Sequence, residues 1–574
     1  MRPMLPKRTY PLFLWVTAGL LATSPIRAHA EDPPGRVARL NLIQGSVSLQ
    51  TSGSETWVVP DPNRPLTVGD NLWSEDGRSE LHLGSTLIRL SSRTGISFLN
   101  LDDRAVQIHL AQGTLAVRIR DLRDDEAYEI DTPNLALTLL RPGEYRVAVD
   151  SSGKSTTVTI RRGSAEATGG GSTYNLERGE QGVFSGSTPL SYDGGPAPDP
   201  DGFEKWCAAR DRHEDLARSA SYISRDVIGY EDLDAYGTWR ADPIYGSVWV
   251  PSVSPAWAPY HYGHWVYIAP WGWTWVDEMP WGFAPFHYGR WAYGGAGWIW
   301  VPGSVAVVAG AGYVRPIYAP ALVGFVGGRG VSVSVALGGG IAGVAWIPLG
   351  PRDVWVPGYA ASPTYVQNVN ISNSRVINRT EITNVYNTSN TSIRNSTYTN
   401  QNLPGAVTAV PKESFTGGRS ASVTAVNLSA EQIEHPQVLE KTPVAPTLQS
   451  HVGPSPAATA LPPTHLANRP VVMKMAPAPQ AVPIGHIQLL PGTHLPRSGA
   501  AALPSNKLVS PSNPGPELKK PPAPQSAHKN AVASSTPAQG KKPDRAATGG
   551  ERTMPPGKQK PKPRPQKPEH PKRD

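Results

Sequence analysis

The chain has 574 residues, among them 60 Pro, 56 Gly, 17 Trp and one Cys, and a formal net charge of +8. The single cysteine, Cys207, excludes an internal disulfide and any multi-cysteine metal site. The charge is local: residues 515–574 hold 14 Lys/Arg against 5 Asp/Glu, which leaves the rest near neutrality, so the net charge is no evidence of a basic nucleic-acid-binding domain and no specific nucleic-acid partner is expected.

At the N-terminus, Arg2, Lys7 and Arg8 precede an apolar run from Leu12 to Ala22, and Ala28-His29-Ala30 follows. This is the three-part arrangement of a secretory signal peptide over residues 1–30, with cleavage after Ala30 and a mature chain that starts at Glu31. The apolar run is about half of the roughly 20 residues that a spanning helix needs. The expected product is periplasmic or secreted, with no transmembrane segment, and no Cys stands near the cleavage point to accept a lipid.

Residues 36–190 read as short strands. Leu40 to Leu49, Ala105 to Leu110, Gly113 to Arg120, Glu144 to Val149 and Thr156 to Ile160 alternate apolar and polar, and turn signals such as Asp76-Gly77 and Ser152-Gly153 separate such runs. The stretch resembles the periplasmic FecR domain. The resemblance rests on Gly45-Ser46-Val47, Leu66-Thr67-Val68-Gly69-Asp70, Gly77-Arg78-Ser79-Glu80-Leu81 and Leu110-Ala111-Gln112-Gly113-Thr114-Leu115-Ala116-Val117. It continues through Ile130-Asp131-Thr132-Pro133-Asn134-Leu135-Ala136 and Pro142-Gly143-Glu144-Tyr145-Arg146-Val147. It implies an extracytoplasmic β-domain built for interaction, without catalytic residues. The family's sensors carry a cytoplasmic segment and a membrane helix where this chain has a signal peptide.

Residues 200–235 form a helical linker, with a helix expected over 201–222. Asp201 is its N-cap, and Phe203, Trp206, Cys207, Ala217 and Tyr222 share one broad face. Residues 236–302 contain a repeat of period 26: Tyr236-Gly237-Thr238-Trp239, Tyr262-Gly263-His264-Trp265 and Tyr288-Gly289-Arg290-Trp291. Each is followed by a second aromatic element, Val248-Trp249-Val250-Pro251, Trp273-Thr274-Trp275-Val276 and Trp298-Ile299-Trp300-Val301-Pro302 in turn. The pattern predicts three hairpins in series that bury a common aromatic face. Eleven of the 17 tryptophans fall in this stretch. Two uses are open for them: core, or a platform on which sugar rings or Pro-rich peptides stack. Trp257, Trp271, Trp273, Trp275, Trp281, Trp298 and Trp300 are the candidate binding aromatics. Together with Ala345-Trp346-Ile347-Pro348-Leu349-Gly350-Pro351, the repeat is similar to an uncharacterised module that follows FecR-type domains in Gram-negative envelope proteins.

Residues 303–360 read as a Gly/Val-rich β extension, in which Val331 to Leu337 is a strand ending at Gly338-Gly339-Gly340. Residues 361–440 are rich in Asn, Ser and Thr and suit either irregular β structure or an extended strap. Residues 441–574 hold 28 prolines and no aromatic residue, so a disordered tail is expected, basic from 515 and drawn to anionic polymers.

Catalytic chemistry finds no foothold. His261-x-x-His264 with Asp277 or Glu278 could hold a metal, but His261 and His287 are equivalent repeat positions, which packing explains. Adjacent acids such as Asp124-Asp125 point apart, and no nucleophile elbow or phosphate loop occurs in context. No catalytic residue, cofactor or metal is therefore expected. The fold class is mainly β: a FecR-like all-β domain, a short linking helix, an aromatic hairpin repeat and a disordered Pro-rich tail. The expected function is a non-enzymatic envelope protein that binds or scaffolds an envelope polysaccharide, peptidoglycan or an envelope protein. The alternatives are a FecR-like signal relay to a membrane partner and a glycan-active enzyme.

Overall fold

The computed structural model describes residues 32–479, apart from 296, 304–306, 309–311, 314, 328–342, 376–397, 404, 427–436, 440–441, 443 and 467–468. Strands dominate, and the helices are few and short. The expected signal peptide, the strand expected at Val331 to Leu337 and the basic segment from 515 all lie outside the described residues. No helix among the described residues is long and apolar enough to cross a membrane.

Residues 38–196 make seventeen strands in two layers around one core. The runs Ala105 to Leu110 and Gly113 to Arg120 join as a single strand, Ala105–Ile119. Its first half pairs with Thr94–Leu101 and, in parallel, with Ala127–Asp131; its second half pairs with Thr86–Leu90 and Gly143–Val149. The strand changes layer at Gly113, where φ is +97° and a Cβ would fall 2.3 Å from Thr94 Oγ1. Only glycine accepts both conditions. Leu40, Leu81, Ile88, Leu115, Val147 and Ile160, the apolar partners in the alternation, fill the space between the layers.

The helix begins as expected and ends early. Asp201 caps Gly202–Asp215 (α1) in a reciprocal pair with Glu204, but a separate turn, Arg218–Ser221, follows. Phe203 and Cys207 are buried, whereas Tyr222 is exposed and stacks on Trp239 at 4.6 Å. The stretch 200–235 is more than a linker: Ile223, Val227, Ile228, Tyr230 and Leu233 enter the aromatic core.

The three hairpins are present, with Trp239 opposite Trp249, Trp265 opposite Trp275 and Trp291 opposite Trp300. The glycine of each Tyr-Gly pair has a packing cause. A Cβ on Gly237, Gly263 or Gly289 would lie about 2.5 Å from the indole of Trp249, Trp275 or Trp300 respectively. The hairpins do not stand in a row. The first and third join through Trp249 and Trp300, while the second is a separate pair of strands. Trp346, on Gly343–Pro348, fills the centre with Trp265, Trp275 and Phe415 around it.

Two further expectations are corrected. In 361–440, residues Pro363–Ser372 form a helix capped by Ser362. Its asparagines are buried ties rather than loop formers: Asn370 binds Trp355 through its backbone N–H and C=O, and Asn373 accepts from Gly289 N–H. The Pro-rich stretch from 441 is not free throughout. Its described residues between 444 and 479 include a short helix, Leu448–Val452, and an extended strap held by backbone hydrogen bonds to the β layers. Composition missed this because the partners belong to strands some 300 to 400 residues earlier.

Candidate functional site

The platform expectation is corrected for six of the seven candidate tryptophans. Trp257, Trp271, Trp275, Trp281, Trp298 and Trp300 are buried, and Trp273 is half-buried against Tyr267 and Phe415. Indole N–H groups turn inward: Trp275 donates to Asp277, Trp300 to Tyr288 O and Trp271 to Pro34 O. Nine of the eleven indoles in this stretch are buried, because strands from 323–348 and the helix at 412–416 complete the core, which three hairpins alone would not.

The histidines do not assemble a metal centre in the repeat. His287 is buried and binds Ala319 O through Nδ1, and burial pushes its pKa down to about 3. His264 faces Asp61 at 3.6 Å, and Asp277 is spent on Trp275 and Met279. A different cluster, not foreseen from sequence, unites Glu80, His82 and Glu214 within 4.8 Å. Glu80 and His82 alternate on Arg78–Leu83, on the face that turns away from the core, and α1 supplies Glu214. The signal was there in the alternation, but the third member lies more than 130 residues onward.

This cluster is an ionic lock. Arg89 reaches Glu80, Asp211 and Glu214; Arg210 reaches Glu80; Arg120 reaches Glu214 and Asp215; Arg118 reaches Asp211 and Asp215. Burial alone would lower the His82 pKa, but Glu231, Glu214 and Glu80 outweigh it and hold the ring up at about 10. With Arg39 on Glu231 and Asp232, five arginines and one imidazolium face six carboxylates. Charge is balanced without a metal, and a divalent cation would have to enter among five guanidinium groups. The donor set therefore suits docking of α1 and the Glu231–Leu233 turn onto the sheet.

Arg39 also brings the two parts of the molecule together. Its guanidinium binds Asn63 Oδ1 and Asp232 Oδ2 and sits 5.3 Å from the Phe283 ring, while Asn63 donates to Asp277 O and Met279 O. Beside this junction lies a cleft of about 1060 Å³. The β layers supply Arg36, Arg64, Asp70, Asn100 and Arg104; the aromatic part supplies Tyr267, Tyr288 and Arg315; the helix Pro363–Ser372 adds Tyr365 and Asn368. Five arginines and five aspartates line it, so it carries both signs of charge in equal number. Asp70 accepts from the N–H groups of Thr67 and Ser52, and burial raises its pKa to about 6. Among the described residues, Nη2 of Arg36 and Nε of Arg64 are buried donors without a hydrogen-bond partner.

Residues 230–353, from Tyr230 through the three hairpins to Asp353, match the model of DUF6600, a family of unknown function. No curated protein matches the chain. Two crystal structures of a candidate anti-sigma factor from Parabacteroides distasonis are similar at 13% identity and a TM-score of 0.20. The similarity covers 22% of this chain and 57% of that protein's length.

Proposed function

We propose that this chain is a non-catalytic, exported binding module of the cell envelope, and that the cleft beside Arg39 is its ligand site. The ligand is a polyhydroxylated envelope glycan. The balanced lining carries this reading: carboxylates accept from sugar hydroxyls, guanidinium groups donate to them, and tyrosine faces offer apolar contact, with no net field to favour a strongly charged ligand. The signal-peptide pattern and the FecR-like motifs support export to the periplasm and an interaction role. The inward-turned tryptophans argue for the cleft over the hairpin surface as the place of binding.

Co-sedimentation with purified peptidoglycan and with neutral and acidic exopolysaccharides tests the proposal. Binding to at least one neutral glycan is expected, and R104A and N368A, at exposed positions in the cleft, should weaken it about tenfold without lowering the melting temperature. No glycan binding, or equal binding by both variants, would overturn it.

A further inference from the structure

Residues 454–466 and 469–479 cross the outside of the β layers as an extended strap with seven prolines. It enters as an added strand: Ala457 bridges Val58 in antiparallel fashion, Val59 N–H donates to Pro456 O, and Ala458 N–H donates to Trp57 O. Farther on, Leu466 is buried against Trp73 and Ala111, with Trp57 beside them. Arg469 then clamps Ala111 O and Ser151 O, each at 2.9 Å. At the far end, one carboxylate oxygen of Glu129 accepts the N–H groups of both Lys474 and Met475, and Gln107 donates to Met475 O.

The two sides of this contact differ in character. The β-layer side is built: Trp73, Gln107, Glu129 and Asp131 are nearly inaccessible, and Gln107 bridges Glu129 and Asp131. The strap side is slight. Leu461 and Met473 are exposed, and of its described side chains Leu466 is the one deeply buried apolar group. Such a segment, with one apolar plug and otherwise main-chain bonds and the polar side-chain ties of Ser455 to Asp61, Arg469 to Ala111 O and Ser151 O, and Lys474 to Glu166, belongs to the low-stability end of a structure. Main-chain pairing at a sheet edge with a side-chain pocket is also how domains capture extended peptides.

We propose that the surface bounded by Trp57, Trp73, Gln107 and Glu129 is a peptide-binding groove for extended proline-bearing segments, occupied in this chain by its own residues 454–479. The partner that fits is a peptide with a leucine for the Trp57–Trp73 pocket, an arginine three positions later, and free N–H groups to meet Glu129. The strap competes with it in cis. A tethered segment acts at millimolar effective concentration, so an external peptide binds with an apparent affinity reduced by the fraction of open groove.

The test uses the full-length chain, a labelled peptide of residues 453–479 and the double variant L466A/R469A, which weakens the strap while leaving the groove intact. Hydrogen exchange at the amides of Ala458, Val472 and Lys474 reports strap release. Faster exchange in the variant together with peptide binding at least tenfold tighter than to wild type is expected, as is loss of binding when the peptide carries the same two substitutions. Faster exchange without a gain in peptide affinity overturns the proposal. So do unchanged protection in the variant and global unfolding, since either makes the strap an integral part of the fold.

Discussion

Trp249 and Trp300 face each other across neighbouring strands, and this one pairing joins the first hairpin to the third and leaves the second apart. Each of these indoles also lies over the glycine that opens its own hairpin, Gly237 or Gly289. The repeat is thus defined by an indole and the glycine it covers more than by strand order.

Gly263→Ala should destabilise the protein by about 1–3 kcal/mol, because the new methyl group would meet Trp275 Cζ2 and Val276 O at 2.5 Å and a rigid indole cannot yield. Gly295→Ala has open space around the added atom and serves as the neutral control. Urea unfolding midpoints of the two variants check this; equal midpoints would contradict it.

Trp265→Ala removes a ring packed at 5.2–5.5 Å from Trp275, Phe325, Trp346 and Phe415. Trp291→Ala empties the equivalent repeat position, beside Trp257 and Phe286. Each should cost about 3–5 kcal/mol, the range for a truncated core aromatic. Retention of the wild-type melting temperature by both would return the rings to the role of a binding surface.

His82 sets the alkaline limit of the ionic lock. Its folded pKa stands at about 10 against an ordinary 6.5, so the folded state holds the proton more tightly than the unfolded chain. The resulting stabilisation is complete below about pH 6.5 and is lost as pH rises toward 10. Unfolding free energies measured at pH 6, 8 and 10 should fall in wild type, and H82Q should flatten this slope from a lower starting stability. An equal slope in the variant would assign the alkaline loss to other groups.

Deletion of residues 515–574 removes nine net positive charges. It should leave the melting temperature unchanged and weaken retention on anionic cell-wall or lipid preparations at low salt, where charge attraction is least screened. Equal retention of the two forms would reduce the segment to a spacer.

Much of this architecture was legible in the residues. Period-two alternation placed the strands of 36–190, and the 26-residue period placed all three hairpins, because both signals depend on near neighbours in the chain. Local order could not show where polar faces go. The arginines at 118, 120 and 146, which alternation turns away from the core, receive α1 through salt bridges to Asp211, Glu214, Asp215, Asp201 and Glu204. The same holds for the tryptophans, whose exposure depended on strands and a helix up to 150 residues away, and for the strap, whose proline content argued against order. Sequence by itself determined which segments are strands and which rings are candidates for burial. The tertiary structure alone decided which surfaces remain open, because desolvation and backbone pairing between distant segments depend on spatial neighbours that no local pattern encodes.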